Sequence, residues 1–148
     1  MPITGCDYTQ NFDPQRSFTV DCSGKSALNA AEWTINLGVQ QTFEMRDYEL
    51  IATLDGRYRS NRVIGFNYWP TGNSDEDGTL DASISLVPYD KGFTASIFMR
   101  NITNKTMRSL YQLGAANVAS STLEPPRTYG LRLVYAFQAR HRRQPGFL

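Results

Sequence analysis

One histidine, His141, and two cysteines, Cys6 and Cys22, stand among the 148 residues. A single imidazole in the terminal basic cluster, with no second histidine or cysteine near it, builds no zinc site, and no catalytic role is expected of it. No catalytic residues are therefore expected, and the sequence implies no metal or other cofactor. Charge of one sign is not in excess: 15 Lys and Arg face 14 Asp and Glu, for a net charge of +1. The basic cluster Arg140-His141-Arg142-Arg143 falls in the last residues and reads as a solvated tail, so nucleic acid is not an expected partner. No unbroken apolar run reaches the roughly 18 residues of a membrane-spanning helix. Strands are not excluded by that, because apolar and polar positions alternate along the wall of a β-barrel.

What the chain does carry is a period of two. Residues 31–43 place Trp33, Ile35, Leu37, Val39 and Phe43 on one face, with Thr34, Asn36, Gly38, Gln40 and Thr42 on the other. Residues 48–60 set Tyr48, Leu50, Ala52, Leu54, Gly56 and Tyr58 against Glu49, Thr53, Asp55, Arg57 and Arg59. Residues 79–87 alternate Leu80, Ala82, Ile84 and Leu86 with Asp81, Ser83 and Ser85. In 93–101, Phe93, Ala95, Ile97 and Met99 oppose Thr94, Ser96 and Arg100. The last pattern runs from Tyr129 to Phe137, with every odd position apolar or aromatic and Gly130, Arg132, Val134 and Ala136 between them. Each run is about ten residues, the length of a tilted strand across a bilayer. Short polar turns at 44–47 and 88–92 alternate with long loops at 1–30, 61–78 and 102–126. Transmembrane barrels segregate their connections in this way, brief on the periplasmic side and extended outside.

The order Pro126-Arg127-Thr128-Tyr129-Gly130-Leu131-Arg132-Leu133, then Tyr135 and Phe137, resembles the last strand of TonB-dependent outer-membrane receptors. Cys6…Cys22-Ser23-Gly24-Lys25, Trp33-Thr34-Ile35-Asn36-Leu37-Gly38, Asp81–Leu86 and Asn101-Ile102-Thr103-Asn104-Lys105 are similar to that family's C-terminal third. The resemblance implies an all-β fold: about five antiparallel up-and-down strands of a transmembrane barrel that closes with 22. It divides the chain into an extracellular loop with a disulfide (1–30), barrel strands (31–137) and a polar, basic tail (138–148). Tyr135 and the terminal aromatic Phe137 would then form the signal read by the outer-membrane assembly machinery. The family ends at that aromatic, whereas eleven residues follow it here. No basic stretch with an apolar core precedes residue 20, so the chain is expected to be the C-terminal piece of a longer polypeptide. The implied partners are the rest of the barrel and its plug, membrane lipid and, through the full receptor, the TonB complex. The implied place is the outer membrane, and the implied activity is import of a scarce nutrient: a siderophore, cobalamin or an oligosaccharide.

Several residues carry more than one reading. Cys6 and Cys22 are either bonded, which a loop of that size would reward with about 3 kcal/mol, or two free thiols. Arg57, Arg59, Arg100 and Arg132 share the polar face and serve either as salt-bridge partners of the wall or as contacts for an anionic substrate. Phe66, Tyr68 and Trp69 form an outer aromatic girdle or cap a ligand path. Asn73, Asp75, Asp77 and Asp81 are an exposed acidic loop, a weak calcium site or a contact for a cationic ligand, although Ile84 stands where a calcium loop needs Glu. Two rival functions remain: a small soluble β-barrel or sandwich holding an apolar ligand, or an inactive truncated remnant.

Overall fold

The computed structural model describes residues 4–12, 17–90, 92–114 and 118–136; Phe137 and the 138–148 tail lie outside them. Among the described residues, eleven strands follow in chain order: β1 (Asp7–Asn11), β2 (Ser17–Asp21), β3 (Thr34–Glu44), β4 (Tyr48–Arg59), β5 (Arg62–Val63), β6 (Asn73–Ser74), β7 (Asp77–Pro88), β8 (Phe93–Arg100), β9 (Arg108–Leu113), β10 (Ala119–Leu123) and β11 (Thr128–Tyr135). A three-residue 3-10 turn, Pro70–Gly72, precedes β6. No α-helix occurs among the described residues.

The five strands anticipated from alternation form one antiparallel sheet in the order β11-β8-β7-β4-β3. Its neighbours are joined in sequence order, so it is an up-and-down meander, and it does not close on itself. Both edges, β3 and β11, are open among the described residues. Register sorts the side chains as the alternation requires. Val39↔Leu54↔Ala82↔Met99↔Tyr129 and Phe43↔Leu50↔Leu86↔Ala95↔Leu133 run across one face. Gln40↔Thr53↔Ser83↔Phe98↔Gly130 and Thr42↔Ile51↔Ser85↔Ser96↔Arg132 run across the other.

The connections at 45–47 and 89–92 leave from one end of the sheet, the turn end. Met45 N–H donates to Tyr48 O at 2.9 Å, and Tyr89 N–H to Asp47 O at 3.1 Å, locking the two turns together. At the opposite, loop end lie the three long connections. The sequence marks them as loops, and among the described residues each contains its own hairpin. β1 pairs with β2, β5 with β6 and β9 with β10, in three separate two-stranded sheets.

The buried core lies in this loop layer, not against the large sheet. Ile64 (1% exposed), Met107, Tyr111 and Cys6 are its apolar members, and Arg62, Ser74, Asp77 and Asn101 are buried with them. The large sheet's apolar face is uncovered: Val39 is 69% exposed, Ile97 56% and Leu131 65%.

Candidate functional site

The loop layer is assembled from all three long connections. Cys6 and Cys22 form a disulfide with Cα atoms 4.9 Å apart, which sets aside the reading as free thiols. It ties the open end of the β1–β2 hairpin, next to the Asp7↔Asp21 pair. The segment before β1 docks on the connection between β4 and β7: Gly5 N–H donates to Asn67 O at 2.7 Å, and Thr4 Oγ1 to the same carbonyl at 2.9 Å. A Cβ at Gly5 would run into the Tyr68 carbonyl, so the approach requires glycine. Tyr68 itself is held at φ 52°, a left-handed conformation unusual for an aromatic residue. Its hydroxyl donates to Ser26 O at 3.0 Å, and its N–H to Gly65 O at 3.0 Å. The third connection joins through Tyr111, whose N–H donates to Ile64 O and whose hydroxyl accepts from Thr71 Oγ1 at 2.9 Å.

Beneath these contacts lies a ladder of guanidinium and carboxylate groups. Asp77, at the start of β7, receives Arg59 Nε at 2.9 Å and Arg59 Nη2 at 3.1 Å, and also Arg62 Nη1 at 2.8 Å. Glu124 receives Arg59 Nη2 at 2.7 Å and Arg57 Nη2 at 3.4 Å. The Arg62 side chain is 1% exposed. Nε of Arg62 donates to Asn29 Oδ1 at 3.0 Å, so the network reaches the segment before β3 as well. A buried charge left without its partner costs about 3 to 5 kcal/mol. The ladder therefore fixes where the connections sit over the sheet end. Asn101 adds a polar clamp: its N–H donates to Asp81 Oδ1 at 2.8 Å, and its Nδ2 to Lys105 O and Pro125 O. At φ 49°, Asn101 occupies the left-handed conformation that Asn tolerates better than most residues.

Between the ladder and the polar face of the sheet opens a cleft of about 430 Å³ bordered by Asn36, Asp55, Arg57, Asp81, Arg100 and Glu124. A smaller groove of about 240 Å³ continues from it over β7 and β8. Thr53 Oγ1 and Ser83 Oγ share a hydrogen bond of 2.6 Å there, and Ser85 and Ser96 one of 2.8 Å. Phe98 stands among these hydroxyls and breaks the polar alternation of β8. Its ring lies over Gly130, where a Cβ would come within 2.8 Å. The guanidinium carbons of Arg100 and Arg132 sit 5.6 and 5.8 Å from its centroid, at cation–π distance.

The structure thus divides the four arginines named from sequence. Arg57 and Arg59 are wall ion-pair members, joined by Arg62 and Glu124. No local pattern singles out those last two, because their partners lie 15 or more positions away. Arg100 and Arg132 have no carboxylate partner among the described residues. Tyr68 and Trp69 are half-buried in the loop layer, while Phe66 is exposed; Trp69 Nε1 is a buried donor with no partner among the described residues. The acidic loop also needs correction. Asp77 is buried and occupied by two arginines, and no group of three or more potential metal ligands occurs among the described residues. Tyr135 ends β11 on the apolar face, paired with Phe93; Phe137 lies outside the described residues.

Comparison with known protein families, with characterised proteins and with solved structures gives no match to this chain.

Proposed function

We propose that the chain forms the C-terminal barrel wall of a TonB-dependent outer-membrane receptor. The whole receptor would import a scarce nutrient of the siderophore, cobalamin or oligosaccharide class, driven through its plug by the TonB complex. The observation that carries this reading is the uncovered apolar face of the five-stranded sheet. A soluble monomer rarely leaves a contiguous apolar surface of that extent open to water. Its width also fits lipid: the 11 residues of β3, at about 3.3 Å each and tilted by about 45°, span about 25 Å, the height of a barrel's apolar band. Aromatic side chains flank the face at both ends. Phe43, Tyr48, Phe93 and Tyr135 stand at the turn end, and Tyr58 and Tyr129 at the loop end. Open β3 and β11 edges support a wall that other polypeptide completes, since an unpaired backbone group in lipid costs several kcal/mol.

The rival reading, a small soluble barrel or sandwich around an apolar ligand, requires further strands to cover that face. β9 and β10 are the strands available in the 102–126 connection; they pair with each other, and Tyr111 of β9 also bridges to Gly65 in the loop layer. The experiment is purification of the 148-residue chain with and without detergent. Recovery only in detergent is expected. A protease-resistant monomer in buffer without detergent contradicts the reading.

A further inference from the structure

The polar face of the sheet holds two sets of charge that the fold leaves unanswered, and they border the same groove. Asp55 and Asp81 face each other in register across β4 and β7. Like charges in that arrangement destabilise a sheet. Asp81 accepts one backbone hydrogen bond, from Asn101. Asp55 lies over Gly38, where a Cβ would come within 2.8 Å of its Oδ1, and it has no hydrogen bond or ion pair among the described residues. Arg100 and Arg132 are the converse: two guanidinium groups gathered on one ring with no carboxylate between them. Asp55, Asp81, Arg100 and Arg132 all line the groove of about 240 Å³, with the Thr53, Ser83, Ser85 and Ser96 hydroxyls in its floor.

We propose that this groove binds a small zwitterion, its cationic group between Asp55 and Asp81 and its carboxylate on Arg100 and Arg132. Each ligand charge then meets two protein charges of opposite sign, and a guanidinium is well shaped to accept a carboxylate through paired N–H groups. Phe98 holds both guanidinium groups on its ring, and no ion pair joins either of them to Asp55 or Asp81 among the described residues. The sheet spacing between Asp81 and the residue under both guanidinium groups gives the order of the ligand's length. Phe98 sits one strand and one residue pair from Asp81, because it pairs with Ser83. One strand across is about 4.8 Å and two residues along is about 6.6 Å, a diagonal of roughly 8 Å. An unbranched amino acid with its charges at opposite ends of five or six carbons matches that distance. The site belongs to the polar face whatever covers the apolar one, so it is separable from the receptor reading.

The test is isothermal titration of the chain in detergent micelles with 6-aminohexanoate, alongside hexanoate and hexylamine as single-charge controls. Binding of 6-aminohexanoate at least tenfold tighter than either control is expected. Asp55→Asn and Arg132→Gln should each weaken it about tenfold, and Arg46→Gln, in the turn at the far end of the sheet, should leave it unchanged. Absent or equal binding of the three compounds overturns the proposal. So does a Asp55→Asn or Arg132→Gln variant that binds as the parent does, or an Arg46→Gln variant that loses as much as they do.

Discussion

The five-stranded sheet and the loop layer above it are built on opposite plans. In the sheet, apolar side chains point away from the molecule, and polar ones face the cleft. In the loop layer, Ile64, Met107 and Tyr111 are buried together, and charged groups are buried with them. The sheet thus draws its order from backbone pairing and leaves its apolar side uncovered. The connections, which in most proteins are the loosest parts, hold the folded core. That arrangement follows if lipid covers the sheet and water covers the loops. The loops must then be ordered by their own contacts, and a disulfide, a buried ion ladder and three hairpins supply them.

The two regions should therefore respond differently to mutation. The largest effect is expected for Arg62→Ala, which leaves Asp77 buried with one of its two cationic partners gone. A loss of about 3 to 5 kcal/mol is predicted, read as faster hydrogen exchange of loop-layer amides while amides of β7 and β8 keep their protection. Reduction of the Cys6–Cys22 bond should cost about 3 kcal/mol in the chain-entropy account. Denaturation with and without reductant measures it, and the loss should again be confined to the loop layer. Ile84→Lys reverses the pattern. In lipid it should cost about 2 kcal/mol or more, yet in aqueous buffer it should change stability by no more than about 0.5 kcal/mol, as at an exposed surface site. Equal penalties in both media would erase the distinction between the regions.

The smallest effect is electrostatic and lies in the loops. Hydrogen bonds from the Ser23 hydroxyl, and then from its backbone N–H, hold the Asp21 carboxyl below its ordinary value. A lowered folded-state value favours folding above the unfolded carboxylate range near about 4 and loses that contribution as pH falls through the folded value. Ser23→Ala should move the Asp21 titration, followed by NMR, upward toward the ordinary range.

How much of this was legible in the sequence differs between the regions for the same reason. The strands of the sheet show one apolar and one polar face, so period two located all five, along with the short turns between them. The hairpins of the loop layer carry no such signal. β1 and β2 are exposed along their whole length, and β10 is the polar run Ala119-Ser120-Ser121-Thr122-Leu123. Phe18 and Val20 alternate with Ser17, Thr19 and Asp21 in β2, but over five residues only, too short a run to mark a strand. The polar-face arginines were legible as a set, but their division into paired and unpaired groups was not. It depends on Glu124 and Asp77, which the fold brings in from distant positions. Phe98 was missed because it violates the alternation, and that violation is what gathers Arg100 and Arg132.

The central claim is that the apolar face of the sheet meets lipid. Its most direct measurement is tryptophan fluorescence quenching by lipids brominated in their acyl chains, after Trp33 and Trp69 are replaced by Phe. Tryptophan is placed either at Ile97, on the apolar face of β8, or at its neighbour Ser96, on the polar face. The account predicts strong quenching for Ile97→Trp and little for Ser96→Trp. Equal quenching at both positions, or none at either, would contradict it.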